Sequence, residues 1–348
     1  MRTLIIGGGL SGLALAEALN ATGHEFRLVE ARDRFGGRIL TESHKDAHFD
    51  LGPAWFWPGQ PRIAALINRL GLEKFDQYSH GVATFEDARG KVQRGQGFAS
   101  MEGSWRLKGG LDALIQALAA RLPAAQLRLN AQVTDLRKTE SAILATLENG
   151  DVETADQIIL ALPPRLAAQI GFFPTLPASA MDQMQGVQTW MAGQAKALAV
   201  YDAPFWREAG LSGDATSRFG PMVEIHDASP AAGGPFGLFG FIGVSPDGRS
   251  DAQTLRQHVM AQFVRLFGPA AAHPAKLYLK DWALDRHTST MADMEPLHAH
   301  PVYGMPDALI DLWDSRLFFA GTEVAAQFGG YLEGALEAAE HVSRELIV

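Results

Sequence analysis

Six glycines, two arginines, one glutamate and one lysine carry the spacings in this chain that point to chemistry. The apolar run Thr3-Leu4-Ile5-Ile6 leads straight into Gly7-Gly8-Gly9-Leu10-Ser11-Gly12. Gly7 lets the chain turn sharply out of a strand, and Gly9, with no Cβ, lets a pyrophosphate approach the backbone. Gly12 lets the following helix pack closely on the sheet. That helix offers free N–H groups and a partial positive charge to phosphates. Glu30 lies 18 residues past Gly12, at the end of the next strand, where its carboxylate can accept from a ribose 2′-OH. An acid at this position argues against a 2′-phosphate and hence against NADP. Arg34-Phe35-Gly36-Gly37-Arg38 follows, and forked guanidinium donors beside a glycine pair suit phosphate. A surface turn with solvated arginines is the plainer reading of that stretch taken alone. Lys196 stands in Gly193-Gln194-Ala195-Lys196-Ala197-Leu198-Ala199-Val200, where a buried amine is costly unless it finds a partner. The alternative is a strand-edge lysine reaching solvent.

The elements needed to position these residues are legible. Thr3–Ile6 and Phe26–Val29 read as buried strands flanking a helix from Leu13 to about Thr22. A helix is expected over Arg62–Leu70, stopped by Gly71, and an amphipathic one over Leu111–Leu122, stopped by Pro123. Leu127–Leu136, Ala142–Glu148 and Asp151–Ala155 read as a meander with Asn149-Gly150 as a tight turn. Ile158–Leu162 and Leu317–Ala320 have buried-strand composition, Phe236–Val244 reads as a strand, and Ala252–Phe267 and Tyr331–Leu346 read as helices. The expected fold is therefore α/β. A discontinuous Rossmann-like nucleotide domain takes residues 1–76, 105–165 and 276–348. An inserted mixed α+β substrate domain takes 166–275, with a short insert at 77–104.

Composition sets limits. The chain has 348 residues, 47% of them hydrophobic, and a formal net charge of −9, which argues against an electrostatic nucleic-acid partner. There is no cysteine, so disulfides, thiolate metal sites and a cysteine nucleophile are excluded. No histidine–carboxylate spacing suggests a metal site. No apolar run approaches the roughly 18 residues of a membrane span. The expectation is a soluble, cytoplasmic protein; the sequence does not fix its oligomeric state.

Taken together, these motifs resemble the flavin-containing amine oxidase family, which includes the monoamine oxidases. The match runs through Glu30–Arg38, Asp50-Leu51-Gly52, Pro58-Gly59-Gln60, Lys108-Gly109-Gly110 and Ala161-Leu162-Pro163. It continues at Lys196 with Pro204-Phe205-Trp206-Arg207, at Phe319–Glu323 and at Gly330–Ala335. The resemblance implies FAD, in contact with Gly7, Gly9, Leu10, Ser11, Gly12, Glu30, Ala31, Arg32, Gly36, Gly37 and Arg38. Further contacts are implied at Gly52, Pro53, Ala54, Trp55, Val133, Gly321, Thr322, Glu323, Gly330, Tyr331 and Leu332. It places the Lys196 amine near flavin N5 through one water, as an aid to the reaction with oxygen. Trp282 would stand near the flavin, and the helix after Tyr331 would turn its positive end toward it. His287 reads as a base or as a hydrogen-bonded surface residue.

Three departures from that family stand out. Met291 falls where some members carry a flavin-linking cysteine, so the FAD is expected to be non-covalent. Tyr331 matches one wall of an aromatic substrate cage, but Ala292 falls at the other, leaving Phe328 or Trp190 to fill the gap. The stretch between Leu72 and Trp105 is far shorter than in monoamine oxidases. The implied activity is an amine oxidase: hydride leaves the amine α-carbon for flavin N5, and O2 restores FAD with release of H2O2. A renalase-like nicotinamide oxidase, a desaturase-like or protoporphyrinogen-oxidase-like enzyme, and a non-catalytic flavoprotein acting as a binding component are the alternatives.

Overall fold

The computed structural model describes residues 1–295, 297 and 299–347. Pro296, His298 and Val348, within the third expected nucleotide segment, lie outside the described residues. The chain's first strand, Arg2–Ile6, is the centre of a parallel five-stranded sheet. Gln157–Leu160 and then Leu317–Phe319 lie on one side of it, Glu25–Val29 and then Leu127–Arg128 on the other. Strands buried on both faces read as unbroken apolar runs, as Leu4-Ile5-Ile6 and Ile158-Ile159-Leu160 do. Helices Leu10–Ala21, Asp112–Ala119 and Leu332–Leu346 cover one face, packing Leu13, Leu114, Ile115, Leu118 and Leu336 into a common core.

The expected single strand Leu127–Leu136 is two strands in two sheets. Leu127–Arg128 ends the parallel sheet, whereas Val133–Lys138 belongs to a four-stranded sheet with Ile143–Leu147, Val152–Ala155 and Gly171–Phe173. Asn130 between them adopts a left-handed conformation (φ 53°), which breaks the run; asparagine tolerates this better than most residues.

A seven-stranded sheet forms the other half. Its order is Lys276–Asp281, Ala195–Tyr201, Phe236–Ile242, Met222–Asp227, Leu211–Ser217, Val82–Glu86 and Val92–Arg94. Two strands cross expected boundaries: Gly171–Phe173 pairs with Val133–Lys138, and Lys276–Asp281 with Ala195–Tyr201. The alternation of strand side chains splits this sheet's contacts. Ala195, Ala197, Ala199, Leu238 and Ile242 face the helix Ala252–Phe267. Leu198, Val200 and Phe239 face Phe49, Leu51 and Trp55 of the nucleotide half. That second face also carries Lys196. Among the described residues, no helix is long and apolar enough to cross a membrane.

Candidate active site

The turn after the first strand depends on missing side chains. Gly7 has φ +112°, and a Cβ there would lie 2.6 Å from the Ala161 carbonyl oxygen; a Cβ on Gly12 would lie 2.0 Å from that of Gly7. The first helix therefore begins hard against the strand, with Gly9 at its N-cap, no side-chain cap and no acid in its first turn. Its leading N–H groups are left for a ligand. Glu30 is fixed beside them: Oε2 accepts from Gly8 N (2.7 Å) and Oε1 from Arg32 N (2.9 Å). Arg34 does not reach out as a phosphate donor. Its guanidinium folds back onto the Phe35, Gly37 and Ile39 carbonyls and shapes the glycine turn.

One cavity of about 810 Å³ joins these groups to the seven-stranded sheet. Its wall includes Gly7, Gly9, Leu10, Ser11, Glu30, Ala31, Arg32, Gly36, Gly37, Arg38, Gly52, Pro53, Ala54, Trp55 and Val133. It goes on to Lys196, Trp282, Gly321, Thr322, Gly330, Tyr331 and Leu332. Two expected residues are set behind the wall. Gly12 acts through the close packing just described. Glu323, fully buried, pairs with Arg38 at 2.6 Å, so it orients a guanidinium that does face the cavity. The terminal helix also starts without a side-chain cap, at Tyr331. The acid of its first turn, Glu333, is turned away to accept from the Arg62 and Ile63 N–H groups. Two uncapped helix starts, a ribose-ready carboxylate and Arg38 along one continuous cavity fit an extended dinucleotide.

Lys196 is buried, not an edge residue. Its strand lies between Lys276–Asp281 and Phe236–Ile242. The Nζ donates to the Gly52 carbonyl and lies 5.2 and 4.9 Å from the Phe239 and Phe241 ring centres. Burial drives its pKa from 10.5 down to about 7, although the Asp50 carboxylate opposes the fall. Trp282 is held by its indole N–H on the Leu51 carbonyl (2.9 Å), one residue from the lysine's acceptor.

A sequence profile described as "Flavin containing amine oxidoreductase" matches residues 10–100 and 96–347. The chain belongs to this family. A relative named "Probable flavin-containing monoamine oxidase A", from Dictyostelium discoideum, is 24% identical, with 99% of this chain and 96% of the relative covered. That alignment spans 451 positions, more than the 348 residues present here, so part of it falls opposite gaps in this chain. Cyclohexylamine oxidase from Brevibacterium oxydans IH-35A has the same fold (TM-score 0.85, 22% identity, 99% of this chain and 98% of that one). So does putrescine oxidase bound to putrescine (TM-score 0.84, 21% identity, 100% and 99%). The protein is an FAD-dependent amine oxidase.

In this amine oxidase Met291 is exposed, and neither it nor the exposed Ala292 reaches the cavity. Of the two candidates for the missing cage wall, Trp190 lines the cavity and Phe328 does not. His300, which the sequence reading passed over, stacks on Tyr331 (4.9 Å between ring centres, 12° between planes) and lies 4.8 Å from Trp190. His287 sits at the Glu30 end. Burial, together with the nearby Arg32 charge, lowers its pKa, and its backbone N–H donates to Asp285. Asp285 also holds Arg32 at 2.7 Å, tying the segment after Trp282 to the nucleotide end. Among the described residues, no group of three metal-ligating side chains forms. Sequence reasoning also missed Met101, Glu224 and Phe241, all in the cavity wall. No local signal marks Glu224, because its strand, Met222–Asp227, also carries His226 and Asp227.

Proposed function

We propose that this oxidase works on primary aliphatic amines, which it holds neutral in the cavity between Lys196 and the Trp190/Tyr331 aromatics. FAD held in this cavity would supply the acceptor for a hydride from the amine α-carbon and the route of that electron pair to O2, with H2O2 and an imine that water hydrolyses as the products. The uncapped helix starts at Gly9 and Tyr331 hold negative charge at the two ends of the cofactor site. Glu30 would hold the ribose, and Arg38, oriented by Glu323, would meet the phosphates. Trp282 and Trp55 close the site to water. Lys196 holds and gives up a proton near neutrality, which serves the oxygen half of the cycle. The buried Lys196 in the wall of the dinucleotide cavity is the observation that carries this reading, because a catalytic lysine needs both burial and access. The division into a discontinuous nucleotide domain and a substrate domain is part of the same reading, with the cavity at their junction.

The test is anaerobic mixing of the yellow protein with a series of alkylamines, amino acids and NAD(P)H. Bleaching by alkylamines, followed by H2O2 on readmission of air, is expected. Bleaching by NAD(P)H alone would favour a nicotinamide oxidase, and no bleaching by any donor a binding component.

A further inference from the structure

The cavity wall that carries Lys196 also carries a carboxylate that none of the roles above uses. Register places Lys196, Phe241 and Glu224 side by side on three adjacent strands, Lys196 opposite Phe241 and Phe241 opposite Glu224. Directly opposed residues project to the same face, and all three line the cavity. Two strand spacings separate the lysine from the glutamate, about 10 Å between backbones, with the Phe241 ring between them. Among the described cavity-lining residues, Glu30 and Glu224 are the two carboxylates, and Glu30 is occupied at the far end by Gly8 N and Arg32 N.

Glu224 is built into place. Its Oε1 accepts from Ser100 Oγ, a residue of the short insert, while Oε2 takes no hydrogen bond among the described residues. Behind it stands His226, almost wholly buried, with Nδ1 2.8 Å from Asp214 Oδ1. The other nitrogen, Nε2, is 3.1 Å from Glu224 Oε1 but off the hydrogen-bonding direction, so it has no hydrogen-bond partner. Burial opposes charge on the imidazole, yet the two carboxylates outweigh it and raise its pKa. The imidazole in turn, against the effect of burial, keeps Glu224 below the usual carboxylate range. Of these three groups Glu224 is the one that lines the cavity, so the charge turned toward the cavity is its carboxylate. The strand is pinned at its end: Asp227 accepts from Trp206 Nε1 (2.8 Å) and from two nitrogens of Arg207 (2.7 and 2.8 Å).

We propose that Glu224 binds the second, distal ammonium of an aliphatic diamine whose first amine is oxidised at the flavin end. The methylene spacer lies along Phe241 and Trp55, and the second cation meets the free oxygen of Glu224. This rests on the amine-oxidase reading and narrows its substrate class. A monoamine of equal length leaves Glu224 facing a hydrocarbon end, which loses a charge-assisted hydrogen bond and desolvates a carboxylate for nothing.

The test compares n-butylamine with putrescine on the FAD-loaded enzyme by anaerobic flavin reduction and steady-state kcat/KM. The parent enzyme is expected to prefer putrescine by about ten- to hundred-fold. In Glu224→Gln that ratio is expected to collapse toward unity. Glu224→Asp, one methylene shorter, is expected to shift the preference toward the next longer diamine, a change that mere structural damage does not produce. A parent enzyme that bleaches with butylamine but shows no preference for putrescine overturns the diamine proposal alone. A Glu224→Gln enzyme that retains both FAD and the parent ratio also overturns it. If neither amine bleaches the flavin, the amine reading falls and this proposal with it.

Discussion

The two walls of the cavity are built by opposite means. On the nucleotide side the working groups are backbone: the N–H groups of Leu10 and its neighbours, the Gly7 turn and the glycine pair at Gly36-Gly37. Side chains there mostly hold backbone in place, as Glu30 holds Gly8 N and Arg34 holds three carbonyls. On the sheet side the working groups are side chains, Lys196, Phe241 and Glu224, brought together across strands distant in sequence. A backbone wall tolerates no added atoms, whereas a side-chain wall can be retuned residue by residue. In the function proposed above, the first wall holds the cofactor and the second selects the molecule that meets it.

The largest effect that tests this contrast is Gly12→Val. Its Cβ would lie 2.0 Å from the Gly7 carbonyl oxygen, and such overpacking against backbone is expected to cost more than about 3 kcal/mol. Little FAD-loaded protein should be recovered. Normal flavin content and melting in this variant would show that the turn is not the rigid element described.

Lys196→Met addresses the other wall. Flavin reoxidation by O2, followed in stopped flow, is expected to slow about 100-fold, with a smaller effect on reduction by amine. Equal slowing of the two half-reactions would reassign Lys196 to amine binding. The same variant has a pH signature in melting temperature. The folded-state pKa, about 7, lies below the ordinary 10.5. The cost of charging the buried amine is therefore borne in full below about pH 7 and is relieved as pH rises toward 10.5. The gain in melting temperature from Lys196→Met should be largest at or below neutrality and shrink toward pH 10.5.

Glu30→Gln is expected to weaken FAD binding about ten- to hundred-fold, through two weakened charge-assisted hydrogen bonds and the altered ribose acceptor. Titration of the apoprotein with FAD measures it. The smallest effect is expected at Trp190→Ala. Loss of one aromatic wall should raise KM for alkylamines by roughly two- to ten-fold with kcat little changed.

The same contrast explains how far the sequence could be read. The nucleotide wall is made of near neighbours, so residues 7 to 38 announced it through local spacing alone. The helix Ala252–Phe267 was legible to the residue, because an Asp251 cap and Gly268 bound it. Lys196 stood out because a charge in an apolar strand is conspicuous. Glu224 and Phe241 did not, because their meaning comes from register with Lys196, and no local signal encodes which strands lie side by side. Trp190 was named as one candidate for the cage but could not be chosen over Phe328. His300 was missed because it reaches Tyr331 from a segment with no regular pattern. The split of Leu127–Leu136 turned on the backbone of Asn130, which hydrophobic pattern does not report.

The parallel sheet has a consequence for the order of events in the cell. Its central strand is made well before the strand Leu317–Phe319 of the same sheet and the covering helix Leu332–Leu346. Ser11, in the first helix, donates to the carbonyl of Ala320. While the ribosome is still working through the seven-stranded sheet, the phosphate-binding turn is present but its floor is not. FAD capture is therefore expected only after Leu317–Phe319 and Leu332–Leu346 have emerged. A nascent chain stalled before residue 317 should hold no flavin, however well its first 38 residues spell out the site.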